Sequence, residues 1–292
     1  MRRFALVALV VVSCTTSPAQ TATPAAGQTL KLAFRTGAVY RFSLHSIQSL
    51  ATGTDPASQF EFTAQETATV QSVDASGAAD IAVSLSNVVA LSGAVGGQTD
   101  TSRPAFDVKI AQDGRILSMD GPAMASKFPF RTGFDANLIV AVLPDVQVTP
   151  GDTWTKEYDQ LNPFGAGSGT IHIQAASKYL RNESINGVAA AVVETTSEAT
   201  IDTTESFGVG APTPGSPSYP LLPGGVAGFA LTGTTSTDVT TWIDPSGHGI
   251  MKTHITAKTA ASIGTVVAPG APTPATGSIA SQADESVDLV LI

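Results

Sequence analysis

The chain has 292 residues and a formal net charge of −9, with 42% hydrophobic and only 13% charged residues. This length suits one large β-domain or two small ones, and the hydrophobic fraction is sufficient for a substantial core. Phosphate binding needs clustered Lys and Arg, and the sequence has no such cluster, which argues against nucleic acid as a partner. The single cysteine excludes an intramolecular disulfide.

The N-terminus has the pattern of a bacterial export signal. A basic start, Met1-Arg2-Arg3, precedes the unbroken apolar run 4–12, which is too short to span a bilayer. The next residues, Val11-Val12-Ser13-Cys14, resemble the lipobox of bacterial lipoproteins. This resemblance implies that a signal peptide, residues 1–13, is removed and that diacylglycerol is attached to the thiol of Cys14. The mature protein would then be anchored to a membrane on its extracytoplasmic side, in the cell envelope.

Ordinary secretion is the alternative to lipidation. The small residues Ser17-Pro18-Ala19 would also suit a signal peptidase, and cleavage there would release the protein without an anchor. Residues 14–28 are rich in Thr, Pro and Ala and have no core pattern, so we predict a flexible tether.

From residue 29 onward the dominant hydrophobic period is two. Such alternation is typical of antiparallel strands with one apolar and one wet face. It is clearest in 40–45, 60–71, 106–110 and 279–291. Turn signals separate these runs at Asp74–Gly77, Asp113-Gly114, Asn186-Gly187 and Pro245–Gly247. The sequence therefore predicts a mainly β fold built on a curved antiparallel sheet.

The order of strands and turns repeats once along the chain. Aligning Gly77 with Gly187 sets GAADIAVSL against GVAAAVVET, so we predict two repeated halves, 29–149 and 150–292. A generic run of hairpins would imitate part of this pattern. Between the halves, Asp135 is placed to cap a short apolar helix over 136–143, stopped by Pro144 and buried against the sheet.

The segment Thr241–Lys252, TWIDPSGHGIMK, resembles the aromatic strand, Asp-Pro turn and returning strand of the lipoprotein-carrier fold. That fold includes bacterial lipoprotein-localisation carriers and mycobacterial lipid-transfer lipoproteins. The resemblance implies an incomplete antiparallel barrel that holds acyl chains. In organisation the chain also resembles an uncharacterised family of lipobox proteins with a Pro-Gly-Asp-Thr-Trp step at mid-chain, here Pro150–Trp154.

Two long loops contain the sequence Ala-Pro-Thr-Pro. If strands 188–206, 230–243, 248–263 and 278–291 form a meander, the loops 207–229 and 264–277 leave from the same edge of the sheet. Large apolar side chains in the first loop are candidates for a ligand rim: Phe207, Tyr219, Leu221, Leu222 and Phe229. A plain surface loop is the alternative.

No catalytic or metal-binding motif is found. Ala166 disrupts the nucleophile-elbow spacing around Ser168, and the sequence has no phosphate loop. His248 and His254 would lie about 20 Å apart on one strand, too far to share a metal. We therefore expect no enzyme activity, no cofactor and no metal.

Two functions fit this sequence best. The first is a membrane-anchored module that binds or carries an apolar or lipid ligand in its curved sheet. The second is a structural or interaction module of the cell envelope with a filled core and no ligand. An apolar cavity distinguishes the two.

Overall fold

The computed structural model describes residues 27–92, 106–120, 140–161, 167–206, 226–246, 249–267 and 278–292. The predicted signal peptide 1–13, Cys14 and the tether up to residue 26 lie outside the described residues.

Eleven strands are described, and they make up 76% of the described chain. They are β1 (Val39–Thr52), β2 (Ser58–Val73), β3 (Ala79–Ser92), β4 (Phe106–Ile110), β5 (Ile116–Asp120), β6 (Thr153–Leu161), β7 (Gly167–Ile185), β8 (Val188–Ser206), β9 (Val226–Asp244), β10 (Gly249–Val267) and β11 (Ile279–Leu291). The prediction of a mainly β fold is confirmed. Within these ranges, no helix has the length and apolar character needed to cross a bilayer.

All eleven strands belong to one antiparallel sheet, which is nearly closed into a barrel. Its order is β5-β4-β3-β2-β1-β11-β10-β9-β8-β7-β6. Each half of the chain forms a meander, and the pairing of β1 with β11 joins the two meanders. The halves thus share one sheet rather than forming two subdomains, while their origin as a repeat stays a prediction.

The period-two pattern assigns one face of each strand to the barrel interior, as predicted. Phe42 and Leu44 of β1 are buried, and so are Val287 and Leu289 of β11. The residues beside them on β1, Arg41 and Ser43, point away from the interior. Hydrophobic burial thus fixes the register, because a slip by one residue would turn every apolar side chain outward.

The turns follow the predicted signals. Asn186 and Gly187 both have positive φ, 51° and 82°, as a two-residue type I′ hairpin requires. Gly114 has a φ of 89°, and a Cβ there would lie 2.9 Å from the carbonyl oxygen of Ala141. This position needs glycine for its backbone conformation and also because another chain segment passes so close.

One end of the barrel is filled by two chain segments that are not strands, and we call it the plugged end. The first segment contains Leu30 and Leu32, and the second is 140–143; all of these side chains are at most 1% exposed. Gln28 pairs with Val148 in an isolated antiparallel bridge, which ties the two segments together.

The predicted helix over 136–143 is not found where the structure describes it. Residues 140–143 are buried, as predicted, but they run as irregular chain, and 135–139 lie outside the described residues. The physical reason is that their N–H groups donate hydrogen bonds to acceptors outside the segment. Leu143 donates to the carbonyl of Asp113, and Ala141 to the hydroxyl of Thr241, instead of to carbonyls four residues back.

Candidate functional site

The interior of the barrel differs between its two ends. We call the end opposite the plug the far end; β1 finishes there at Thr52 and β8 at Ser206. On β1, β2, β10 and β11 most inward-facing apolar side chains toward the plugged end are buried: Phe42, Leu44, Ala64, Ala68, Val70, Ile255, Val287 and Leu289. Tyr40, Glu66 and Leu291, which share their inward phase, are half-buried. Toward the far end, inward-facing side chains of the same strands are half-buried: Gln48, Leu50, Phe60, Phe62, Ala261, Ile263, Ala283 and Glu285. Solvent thus reaches these side chains of the far half.

A closed circuit of hydrogen bonds holds the plug. The N–H of Val142 donates to Thr195 Oγ1 at 3.1 Å, and Ser177 Oγ donates to the Val142 carbonyl at 3.0 Å. The two hydroxyls are 2.7 Å apart, so Thr195 donates to Ser177 and every group in the circuit has a partner. Trp154 Nε1 also donates to the Val142 carbonyl, at 2.8 Å. Buried Ser and Thr therefore satisfy a backbone that lacks a helix or a strand partner.

Charged side chains tie the seam between the two terminal strands of the sheet, β5 and β6. Lys156 Nζ lies 2.8 Å from Asp113 and 2.9 Å from Asp145, and Arg115 Nε lies 2.7 Å from Asp113. Burial alone would raise the pKa of Asp113, but the hydrogen bond and charge of Lys156, together with Arg115, outweigh it and lower that pKa. Arg115 also lies 5.3 Å from the ring centre of Tyr158.

Aliphatic side chains form one wall of the far half. Ile171 and Ile173 of β7 and Ile201 of β8 are at most 2% exposed and make a second core cluster with Ala199. Leu231 and Tyr158 pack against this cluster. Burial raises the pKa of Tyr158 to about 12, so its hydroxyl stays neutral. This wall is a closely packed apolar part of the barrel interior.

Hydroxyl groups line the next part of the wall, along β8, β9 and β10. Thr235 and Thr259 share a hydrogen bond of 2.9 Å. Ser197, which is 1% exposed, points inward between Ala175 and Thr237, and its Oγ has no hydrogen-bond partner in the described part of the chain. The hydroxyl of Tyr158 is also buried, and it too has no hydrogen-bond partner in the described part of the chain. Two hydroxyls facing the interior thus keep unused hydrogen-bonding capacity.

A carboxylate completes the site on β11. Glu285 lies directly opposite Gln48 in the β1–β11 ladder. Gln48 Nε2 donates to Glu285 Oε1 at 2.6 Å, and Ser46 Oγ donates to the same oxygen at 3.3 Å. The other oxygen, Oε2, accepts no hydrogen bond from a described residue. We call Glu285, Gln48 and Ser46 the carboxylate site.

The predicted rim residues fall mostly outside the described residues. Phe207, Tyr219, Leu221 and Leu222 lie there, whereas Phe229 lies in β9, opposite Glu205 and Thr265. The loop prediction was therefore wrong for 226–229 and for 264–267, which extend β9 and β10. The strands beside both connections do end at the far end, as the meander predicted.

Sequence reasoning missed the carboxylate site and the hydroxyl wall. Gln48 is an even number of residues from Phe42 and Leu44, and Glu285 an even number from Val287 and Leu289, so both stand where the alternating pattern predicts an apolar core residue. A polar residue at such a position was the available signal. The threonines of β9 carried no such signal, because Thr recurs on both faces of that strand, inward at Thr235 and outward at Thr234.

The three described histidines lie on the outer face, each beside a carboxylate. His45 pairs with Glu61, His254 with Asp288, and His172 with Asp159. The expectation that His45 and His172 lie on polar faces is confirmed, while His248 lies outside the described residues. Among the described residues, no group of three or more His, Cys, Asp and Glu side chains could hold a metal ion.

We predict a raised pKa for His172. Its hydrogen bond to Asp159, with the charges of Asp159 and Glu157, raises the pKa above the ordinary value of 6.5. The pairing therefore stabilises the fold at low pH, and that contribution is lost as the pH rises through the raised pKa. In an NMR titration, Asp159→Asn should lower the His172 pKa, whereas Asp284→Asn on β11 should leave it unchanged. An unchanged pKa in D159N contradicts the assignment.

Neither a protein-family model nor a curated protein sequence matches this chain.

Proposed function

We propose that this chain is a lipoprotein of the cell envelope, anchored through Cys14, whose barrel interior binds a small apolar or amphipathic ligand. One observation carries the ligand-binding part of the proposal. The far half of the interior has half-buried inward-facing side chains on strands whose inward-facing apolar side chains toward the plugged end are mostly buried. Binding sites are typically concave, mostly apolar and equipped with a few polar groups.

Two surfaces of the far half support an amphipathic ligand. The half-buried apolar side chains Leu50, Phe60 and Ile263 would contact a hydrocarbon body, at about 0.8 kcal/mol per buried methylene group. The carboxylate site would orient a polar end. A ligand of this kind needs both surfaces, which an evenly apolar barrel would not offer.

Blocking the interior tests ligand binding. We expect Ala283→Phe, an inward-facing and half-buried position on β11, to reduce uptake of a neutral fluorescent fatty-alcohol probe at least about tenfold, because the new ring occupies the ligand's space. The matched control is Ala280→Phe, on the same strand but exposed, which should bind like the wild type. Fluorescence titration measures both.

A wild-type protein that takes up no probe and releases no lipid on solvent extraction overturns ligand binding. That result favours the second candidate, a structural envelope module, for which the tightly packed plugged end is the supporting observation.

Replacement of the lone cysteine tests the anchor. In a bacterial host that processes lipoproteins, Cys14→Ala should move the protein from the membrane fraction to the soluble fraction, because the lipid on this cysteine supplies the membrane affinity. The matched control is Thr15→Ala, which changes the neighbouring residue, keeps the thiol and should remain membrane-bound. Equal distribution of the wild type and both variants, with no lipid mass at the N-terminus, contradicts lipidation.

A further inference from the structure

We infer that the outer face of the plugged end docks on an anionic lipid surface, with the far end of the barrel turned away from it. The inference rests on the proposed membrane anchor and specifies which face of the fold meets the membrane. Three features carry it: an apolar and basic patch, the distribution of charge along the barrel, and the place where the N-terminal tether enters the fold.

The first feature is a patch on the outside of the barrel near its plugged end. It crosses neighbouring strands, since Trp242 of β9 lies opposite Lys252 of β10, and Lys252 lies opposite Val290 of β11. The ammonium group of Lys252 lies 4.6 Å from the centre of the Trp242 ring, and Val290 is 39% exposed. On β1, the strand beside β11, the outward-facing Arg41 and Val39 extend the patch, and Val39 is 46% exposed. We call these five side chains the docking patch.

The composition of the docking patch suits the interface between a membrane and water. Tryptophan is enriched there, because one end of its ring system is apolar and the other carries a polar N–H group. Aliphatic side chains beside it contact the acyl boundary, and Lys and Arg interact with anionic head groups. Trp242 is half-buried, so part of its ring is open to such contact.

The second feature is the uneven charge along the barrel. Lys258 is the one Lys or Arg on the outside of the far half among the described residues. Carboxylates greatly outnumber it there: Asp55, Glu61, Glu157, Asp159, Glu198, Asp202, Asp238 and Asp284. An anionic surface therefore repels the far half.

Basic side chains gather at the plugged end instead. Two of its carboxylates have basic partners, since Lys109 lies 2.9 Å from Asp74 and Arg181 lies 2.8 Å from Glu183. Further exposed or half-buried basic side chains lie at the same end: Lys31, Arg35, Arg41, Lys178 and Lys252. The difference between the two ends orients the barrel with its plugged end toward an anionic surface.

The third feature is the place where the tether meets the fold. Gln28 is bonded to Val148 in the plug, so the chain enters the barrel at the plugged end. The 13 residues from Cys14 to Ala26 reach at most about 45 Å when fully extended. A lipid on Cys14 would thus keep the docking patch at a high local concentration near the membrane, and weak contacts would then suffice to hold it there.

Fluorescence quenching by lipids with brominated acyl chains tests the inference. The chain has two tryptophans, and Trp154 donates into the plug, so contact with lipid reports on Trp242. The protein purified from its host is placed on vesicles of phosphatidylcholine with or without about 30 mol% phosphatidylglycerol. We expect at least about twofold more quenching on the anionic vesicles at low ionic strength, and loss of this excess in about 0.5 M salt. Trp242→Phe should remove the quenching.

Charge reversal on one strand supplies a matched pair of variants. Lys252→Glu, in the docking patch, should reduce the quenching at least about twofold. Lys258→Glu makes the same change on the outside of the same strand, but in the far half, and should be quenched like the wild type. Arg41→Glu repeats the test on β1 without removing the contact between Lys252 and Trp242.

Each outcome decides the question. Equal quenching on anionic and neutral vesicles, or none on either, overturns docking on an anionic surface, while a lipid found on Cys14 leaves the anchor standing. A chain without that lipid refutes the anchor, and the same vesicle measurement on the unanchored protein still decides docking. Equal losses in K252E and K258E overturn the docking patch. A dimer in sedimentation that shields Trp242 from lipid does so too, and assigns the patch to a second copy. Where a variant does not fold, as judged by its thermal transition, the salt and lipid dependence of the wild type decides.

Discussion

Replacing Leu143 with Ala is expected to lower the free energy of unfolding by about 3 kcal/mol. Leu143 is 0% exposed and belongs to the main core cluster, at the end of the plug segment. The substitution removes buried methyl groups and leaves a cavity, since the circuit through Val142, Thr195 and Ser177 holds the adjacent backbone in place. Denaturant unfolding measures the loss.

Val146 provides the control for this substitution. It lies shortly after Leu143 on the same segment and is 67% exposed. Val146→Ala should therefore change the free energy of unfolding by no more than about 0.5 kcal/mol. Similar losses in the two variants would show that 140–143 does not act as a packed plug.

Replacing Asp113 with Ala is expected to lower the free energy of unfolding by about 2–3 kcal/mol. Asp113 is the shared partner of Lys156 and Arg115 at the seam, and the side chains of Asp113 and Lys156 are only 13% and 14% exposed. Its removal leaves Lys156 largely buried, with only the exposed Asp145 as a partner, and an unpaired buried charge is costly. The loss is smaller than for a fully buried pair, because water still reaches both groups.

An exposed ion pair and a double variant serve as controls for the seam. Glu183→Ala breaks the exposed pair with Arg181 and the exposed hydrogen bond from Trp242 Nε1, and should destabilise the fold less than D113A. Combining Asp113→Leu with Lys156→Met removes both charges and should be less destabilising than D113A. If D113A costs no more than E183A, the seam is not held by these charges.

The same pair predicts a pH dependence. Because the pKa of Asp113 is lowered in the fold, its contribution is fully present above the unfolded value of about 3.9. The contribution is lost as the pH falls through the folded pKa. The stability difference between the wild type and D113A should therefore shrink on acidification below about pH 4, as measured by urea unfolding over that range.

Local chemistry made the strands and turns predictable. Asn186-Gly187 has a short-range turn preference, and Phe42 and Leu44 alternate with polar neighbours, so their roles depend on residues close in the sequence. The boundaries of β8, 188–206, were also predicted correctly. Its companions β9 and β10 extend beyond their predicted ends, because ladder pairing such as Phe229 with Thr265 continues into sequence with loop-like composition.

The plug and the carboxylate site depend on long-range contacts, which the sequence does not reveal. Residues 140–143 have a helical composition, but their N–H groups find acceptors on Thr241 and Thr195, 100 and 53 residues away. Gln48 and Glu285 likewise meet across 237 residues. The sequence near Gln48 does not indicate Glu285 as its partner, and the sequence near Glu285 does not indicate Gln48.

The ladder between β1 and β11 has a consequence for folding kinetics. Its pairs run from Phe42–Leu291 to Thr52–Ser281, so β1 gains its second neighbour only after nearly all of the other strands have been synthesised. Contacts that close so long a loop form slowly. Until then β1 presents an unpaired edge, the kind of surface through which partly folded chains associate with one another. Refolding yield should therefore fall as protein concentration rises, with this one closing step competing against aggregation.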